Sequence, residues 1–172
     1  MSLPFDIVDL PPCDPPGSGD SAPDFKRPLV SPGHWQDTTL ENITRDGQSL
    51  LVFLPMLGSS PARHFWTGIG ERNWTERFDL QLVGVSISTP YEASTFLKTH
   101  QYPGRIFSDP CDSVADSYDL AVEQDGLTGF TAARPAVFHL DTDQMIHHRW
   151  VAETVPDSPD FDAFEAAIED AA

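Results

Sequence analysis

The sequence contains little cysteine and no long apolar segment. Cys13 and Cys111 are its two cysteines, too few for a disulfide-stapled secreted scaffold or for a four-cysteine zinc site. No apolar run approaches the roughly 18 to 20 residues that a membrane-spanning helix needs, and the N-terminus shows no basic-then-apolar export signal. We therefore expect a cytoplasmic protein with no membrane partner.

Basic residues are also scarce. The chain has 10 Lys and Arg against 27 Asp and Glu, which gives a formal net charge of −17. Such a chain repels phosphate backbones, so we expect no nucleic-acid partner. Because the acids are spread along the whole chain, we interpret them as a solvated, halophilic surface suited to high intracellular salt. An acidic face built for a basic partner or for cations is the alternative.

The domain organisation follows from length and proline content. At 172 residues the chain is long enough for one ordinary domain and too short for two. Residues 1–24 hold six prolines among Asp, Gly and Ser, a composition that opposes regular backbone hydrogen bonding and offers little apolar surface. We predict a loosely held leader over residues 1–24 and a folded domain over residues 25–172.

Strands and helices alternate from residue 49 onward. Residues 50–54 form an apolar run that stops at Pro55, which is typical of a strand buried on both faces. Residues 60–77 predict a helix with Ser60 as its N-cap. The remaining predicted elements are a strand over 80–87, a helix over 90–99, a strand over 104–108, a helix from 109, a hairpin of strands 135–140 and 145–151, and a last helix through 161–168. This order predicts an α/β, thioredoxin-like fold, a mixed central sheet with helices on both faces.

Several short segments then follow one another in a recognisable order. They are APDF at 22–25, a strand and loop at 39–47, LVFLP at 51–55, SDP at 108–110, VADSY at 114–118 and RPAVFHLD at 134–141. In this order, over about residues 22–170, they resemble the peroxiredoxins, the alkyl hydroperoxide reductase/thiol-specific antioxidant (redoxin) family.

The resemblance also implies a site. The family motif P-x-x-x-T/S-x-x-C, counted from Pro55, puts Ser59 at the hydroxyl position and Ala62 at the position of the catalytic cysteine. In the family a thiolate at that helix start attacks the peroxide, and an arginine that Arg134 matches helps to stabilise it. The resemblance implies that Pro55, Ser59 and Arg134 line the peroxide pocket, whereas Ala62 carries no nucleophile. His64 is a candidate acid or base beside this position, or else a solvated histidine.

Two functions are therefore open. The chain keeps the peroxiredoxin scaffold without peroxidase activity and acts in binding or regulation. Alternatively, it is a thiol-dependent oxidoreductase that uses Cys111, with Cys13 or an external thiol as the second thiol. Cys111 follows Asp109-Pro110 at a predicted helix start, which favours a thiolate, while neighbouring acids oppose it. A disulfide between Cys13 and Cys111 is a further hypothesis.

The remaining expectations concern partners and cofactors. The aromatic residues Phe65, Trp66 and Trp74 suggest a homodimer interface, with core packing as the alternative. A thiol reductant or a protein partner is the other expected contact. His147 and His148 are neighbours on one strand and point to opposite faces, and His34 and His100 have no partner at ligand spacing, so we expect no metal and no cofactor.

Overall fold

A seven-stranded mixed sheet forms the centre of the protein. The structure, a computed structural model, describes residues 6–171. Within that range the strands are β1 Val8–Asp9, β2 Lys26–Ser31, β3 His34–Thr39, β4 Ser49–Phe53, β5 Gln81–Ser86, β6 Arg105–Ser108, β7 Ala121–Glu123, β8 Thr131–Ala133, β9 Ala136–Leu140, β10 Ile146–Val151 and β11 Thr154–Val155. The helices are α1 Leu40–Thr44, α2 Ser60–Glu71, α3 Trp74–Arg77, α4 Pro90–His100, α5 Ser113–Ser117 and α6 Phe161–Ala171. No helix in this part of the chain has the length and apolar character needed to cross a membrane.

The strand order of the sheet is β10-β9-β4-β5-β6-β2-β3. β4 pairs in parallel with β5, and β5 with β6, while β9 and β10 form the antiparallel hairpin that the sequence predicts. Every residue of β4 is buried, and its side chains alternate between two cores. Leu50 and Val52 face one core, and Leu51 and Phe53 face the other. The predicted α/β thioredoxin-like fold is confirmed.

The predicted helix over 60–77 is broken in two. Asn73 adopts a left-handed conformation with φ 53°, which ends α2 and begins α3. Phe65, Trp66 and Trp74 are all at most 1% exposed and belong to one core cluster. The interpretation of these three rings as a dimer surface is therefore wrong, because they stabilise the monomer by packing inside it.

Close packing of α2 on the sheet depends on a glycine of β5. A Cβ built on Gly84 would lie 2.8 Å from Cη2 of Trp66. The indole N–H of Trp66 donates to the carbonyl of Pro103 at 2.9 Å, which fixes the ring over this gap. The absence of a side chain at Gly84 thus lets α2 approach the strands, and this approach positions the first turn of the helix.

Three further elements differ from the sequence prediction. Residues 39–47, expected as a strand and a loop, contain the end of β3 followed by α1, whose N-cap Thr39 accepts a hydrogen bond from the N–H of Asn42. The helix expected from residue 109 begins only at Ser113. The β2–β3 hairpin was not predicted, because β3 is largely exposed and polar and lacks apolar alternation.

Residues 6–24 of the leader pack against the domain. β1 pairs with β11, the N–H of Leu10 donates to the carbonyl of Glu153, and Ala22 donates to the carbonyl of Gln144. Arg149 donates to the carbonyls of Pro15 and Pro16. The Arg149 side chain, more than 130 residues away, thus pairs with leader carbonyls for which the proline-rich backbone has few N–H donors. Residues 1–5, including Pro4, and residue 172 lie outside the described part of the chain, and the boundary at residue 24 stays a prediction.

Candidate functional site

The link between β4 and α2 places the candidate residues of the first helical turn. Ser59, rather than the predicted Ser60, is the N-cap of α2, and Pro61 is the second helical residue. The Ser59 hydroxyl donates to the carbonyl of Met56 at 2.6 Å and accepts from the N–H of Ala62 at 3.4 Å. Its proton is therefore directed at a carbonyl and not at a base, so nothing activates this hydroxyl as a nucleophile.

Ala62 lies on the first turn of α2 and is fully buried. Its side chain is part of the core cluster that also contains Phe65 and Ile69. Pro55 is buried too, and its carbonyl accepts a hydrogen bond from the Ser86 hydroxyl. The position that the family motif assigns to the reacting sulfur thus holds a methyl group with no exposure to solvent.

Arg134 precedes β9 and is 3% exposed. One terminal nitrogen donates to the carbonyl of Ala152 at 3.3 Å, and the other donates to the carbonyl of Pro11 at 2.6 Å. Its Nε atom is buried and has no hydrogen-bond partner. Among residues 6–171, no hydrogen bond joins this guanidinium to Ser59 or Ala62; it is held between the leader and the end of β10.

A groove of about 660 Å³ runs beside the first turn of α2. Ser60, Pro61, His64 and Phe65 line one side, and residues 155–158 line the other. His64 is exposed there. Arg134 lines a different cavity, and neither of these two cavities is lined by Pro55, Ser59 or Ala62.

Cys111 is exposed on a turn between β6 and α5, two residues before the helix begins. The prediction that Cys111 lies at the start of a helix is wrong, because Asp112, the residue before α5, has a left-handed conformation. The Asp109 side chain caps the helix instead. The buried carboxylate of Asp109 accepts from Arg27 Nε at 3.0 Å and from the N–H of Val114 at 2.9 Å. Partial burial, reinforced by the neighbouring acids, raises the pKa of Asp112. The Arg27 guanidinium at this turn is engaged by Asp109 and Ser113, and the acids on either side of Cys111 oppose a thiolate.

Cys13 is half-buried in the leader and, like Cys111, is a free thiol. It lines a cavity together with Arg134 and Arg149. The sequence does not connect these three residues, since Cys13 lies more than 120 positions from both arginines and no local pattern links them. The hypothesis of a disulfide between Cys13 and Cys111 stays a prediction.

The histidines are dispersed. The His147 ring contacts the Asp141 carboxylate at 2.8 Å, while His148 packs on Phe164 with 4.8 Å between the ring centroids. These neighbouring residues thus point to different surroundings, as expected. His100 stacks on Tyr102 at the end of α4. Within the described residues, no group of three or more His, Cys, Asp or Glu is arranged to hold a metal ion.

The fold and the helix start at Ala62 define a thioredoxin-fold protein of the peroxiredoxin type. The profile of the AhpC/TSA family matches residues 18–149, and the chain belongs to this family. A comparison with curated protein sequences gives no match.

Solved structures agree with this fold. The chain is similar to thiol peroxidase from Chromobacterium violaceum, with a TM-score of 0.77 and 20% identity over 92% of this chain and 90% of that one. Peroxidoxin BcpB from Mycobacterium tuberculosis is similar with a TM-score of 0.75 and 18% identity, covering 90% and 97% of the two chains. A reduced 2-Cys peroxiredoxin from Plasmodium vivax gives a TM-score of 0.74 and 18% identity over 90% and 81%.

Proposed function

We propose that this chain is a binding or regulatory member of the AhpC/TSA family without peroxidase activity. The observation that carries the proposal is the buried methyl group of Ala62 on the first turn of α2. Peroxide reduction by a thiol requires a sulfur whose lone pair attacks one peroxide oxygen while the other oxygen leaves. No atom at this position can take that role.

The surrounding groups support the same proposal. The Ser59 hydroxyl is bonded to a carbonyl, and Arg134 gives hydrogen bonds to two carbonyls, one of them in the leader. An arginine engaged in this way is not directed at charge developing beside Ala62. The groove lined by Ser60, His64 and Phe65 provides the space in which a bound molecule would contact the first turn.

Peroxide consumption tests the proposal directly. We expect the wild-type chain to consume hydrogen peroxide no faster than a free thiol such as cysteine at equal concentration. The C13S/C111S variant is expected to remove even that background. Rapid, saturable peroxide consumption by the wild-type chain would refute the proposal, and its loss in C111S alone would favour the oxidoreductase that uses Cys111.

The variant Ala62→Cys tests whether the pocket is still competent. In the C13S/C111S background we expect A62C to raise the rate of peroxide consumption by no more than about tenfold, because burial in apolar surroundings disfavours a thiolate and Arg134 is engaged elsewhere. Ala93→Cys is the matched control, since Ala93 is also fully buried in the first turn of a capped helix. A rise of about 100-fold or more in A62C, absent from A93C, would show that the pocket opens.

We further propose a homodimer that forms beside this helix start. Tyr91 on the first turn of α4 is 74% exposed and packs edge-on against Trp35. It lines a cleft of about 680 Å³ with Met56, Gly58 and Arg63, which lie on either side of Ser59 in the sequence. An exposed tyrosine at an apolar cleft is the kind of side chain that dominates protein interfaces.

Charge introduced at this tyrosine should weaken the dimer. We expect Tyr91→Glu to raise the dimer dissociation constant by about 30-fold, as for an interface residue worth about 2 kcal/mol. Ile7→Glu is the control, because Ile7 is exposed to a similar extent at 71% but lies on the leader. Sedimentation velocity over a concentration series measures both. Equal dissociation constants for the two variants, or a wild-type chain that stays monomeric, would contradict this surface.

A further inference from the structure

The leader closes one wall of a cavity of about 360 Å³ at the edge of the sheet. Its lining combines leader residues with the approach to β9 and the end of β10: Leu10, Pro11, Pro12, Cys13, Pro15, Arg134, Arg149, Val151, Ala152 and Glu153. The volume is at the lower end of the range for small-molecule sites. This cavity is separate from the groove beside Ala62.

Two guanidinium groups in this cavity lack a carboxylate partner. Among residues 6–171, salt bridges within 4.0 Å engage Arg27, Arg45, Arg72 and Arg77, whereas Arg63, Arg105, Arg134 and Arg149 form none. Of these four, Arg134 is the buried one. Glu153 supplies the one carboxylate of the lining, so the cavity carries an excess of positive charge in a protein of net charge −17.

Arg134 is the more deeply buried of the two arginines, so its charge most needs a compensating partner. A buried cation is unfavourable unless charge or hydrogen bonds compensate it, and here the compensation is limited to the carbonyls of Pro11 and Ala152. Its Nε atom has no hydrogen-bond partner, although the residue is only 3% exposed. A carboxylate in the cavity would provide the missing negative charge, and carboxylates are favoured partners of guanidinium groups.

The third feature is the thiol of Cys13 in the same lining. A thiol beside two arginines suits a ligand with two features: a disulfide with which the thiol can exchange, and a carboxylate that the arginines can bind. We propose that this cavity is a thiol-exchange site in which Cys13 forms a mixed disulfide with a small carboxylate-bearing disulfide bound by Arg134 and Arg149. This inference does not depend on the absence of peroxidase activity at Ala62.

The exchange step balances without any other reactant. The Cys13 sulfur, as thiolate, attacks one sulfur of the small disulfide; a new S–S bond forms, the old S–S bond breaks, and the departing sulfur leaves as a thiolate that takes up a proton from water. Cys13 is oxidised to the mixed disulfide while half of the small disulfide is reduced to a thiol. Attack on the mixed disulfide by a second small thiol reverses the reaction.

The test compares two disulfides of opposite charge on the two cysteines of the same chain. Oxidised glutathione carries carboxylates, and cystamine carries amines. Cys111 is the internal control, because it is an exposed, free thiol on a turn with Asp109 and Asp112. Mass spectrometry of peptides after timed quenching gives the rate of mixed-disulfide formation at each cysteine, and C13S and C111S confirm the assignment.

We expect oxidised glutathione to modify Cys13 at least about tenfold faster than Cys111, and cystamine to show the reverse order. The net charge of −17 acts against any anionic reagent, so a preference of Cys13 for it requires local positive charge. Raising the salt concentration should reduce both preferences, since exposed charges are screened. Faster reaction of cystamine at both cysteines, or no reaction at Cys13, would overturn the proposal whatever the peroxide assay shows.

Arg149→Gln adds a test of the receptor. We expect the variant to lose most of the preference of Cys13 for oxidised glutathione, and Arg149→Lys to retain part of it because the charge remains. Because Arg149 also holds the leader through Pro15 and Pro16, the two variants are compared with each other as well as with the wild-type chain. An unchanged preference in Arg149→Gln would exclude this arginine from the site.

Discussion

Acidification from pH 6.5 to about 4 is expected to lower the free energy of unfolding by about 3 kcal/mol through one imidazole, that of His139. His139 stands in the middle of the β9–β10 hairpin with no exposure to solvent. Burial, which disfavours the charged ring, lowers its pKa to about 4 from the ordinary value of 6.5. The difference between these two values corresponds to about 3 kcal/mol, taken as an order of magnitude.

The direction of this effect follows from proton binding. In the unfolded chain His139 takes up its proton near pH 6.5, whereas in the folded chain it does so near pH 4. Between these values the unfolded state binds more protons, so stability falls as the pH falls and is fully present above 6.5. His147 and His148 strengthen the effect when protonated, and Asp141 opposes it. The pKa of half-buried His148 is also lowered by burial, which adds a loss of the same sign.

Removal of the imidazole should flatten this profile. The variant His139→Gln is expected to lose less stability than the wild-type chain between pH 6.5 and 4, although it is less stable at pH 7 because the contact of 2.9 Å between His139 Nε2 and Gln48 Oε1 is altered. His34→Gln is the control, since His34 is exposed at the start of β3. Urea unfolding in about 1 M salt gives the free energies with self-repulsion largely screened. Parallel profiles for His139→Gln and the wild-type chain would contradict the assignment.

Local patterns in the sequence carry the central part of the fold. The run that became β4 is continuously apolar and stops at a proline, and the β9–β10 hairpin has an apolar and a mixed strand around a polar turn, so both are readable from fewer than about twenty consecutive residues. The break at Asn73 is not readable in the same way. Apolar residues keep helical spacing from α2 into α3, and one left-handed residue between them leaves that spacing intact.

The candidate site, too, was predictable only in part from the sequence. The position of Ala62 at a helix start follows from its distance to Pro55, because a buried strand and a capped helix fix the path between them. The surroundings of Arg134 could not be predicted, since its partners are the carbonyls of Pro11 and Ala152. Every residue carries a backbone carbonyl, so a hydrogen bond from a side chain to a carbonyl depends on the path of the backbone and not on which residue supplies it. The sequence therefore offers no signal for this contact.

The cavity of Cys13, Arg134 and Arg149 depends on the same long-range contacts. Six prolines predict an irregular leader, and the structure agrees that residues 10–19 form no strand or helix. Irregular backbone still presents carbonyls, and the arginines of the domain bind them. Composition therefore predicts the lack of regular structure correctly and says nothing about whether the segment is held in place.

Replacement of Gly104 by alanine is the substitution expected to destabilise the fold most among its glycines. Gly104 precedes β6 with φ +87°, and a Cβ there would lie 2.5 Å from the carbonyl oxygen of Leu82 on β5. A left-handed conformation costs alanine about 1 kcal/mol or more, and the clash with backbone adds about 1 to 3 kcal/mol because neither parallel strand can move independently. We expect a total loss of about 3 kcal/mol in the free energy of unfolding.

A second glycine separates these two contributions. Gly126, in the loop between β7 and β8, has φ +73° and no heavy atom within 4 Å of a built Cβ. Gly126→Ala should therefore cost about 1 kcal/mol from conformation alone. Urea unfolding of both variants, compared at equal m-values, measures the difference. A loss in Gly104→Ala no larger than that in Gly126→Ala would show that β5 and β6 are not in the close contact that brings Pro103 under Trp66 and holds α2 on the sheet.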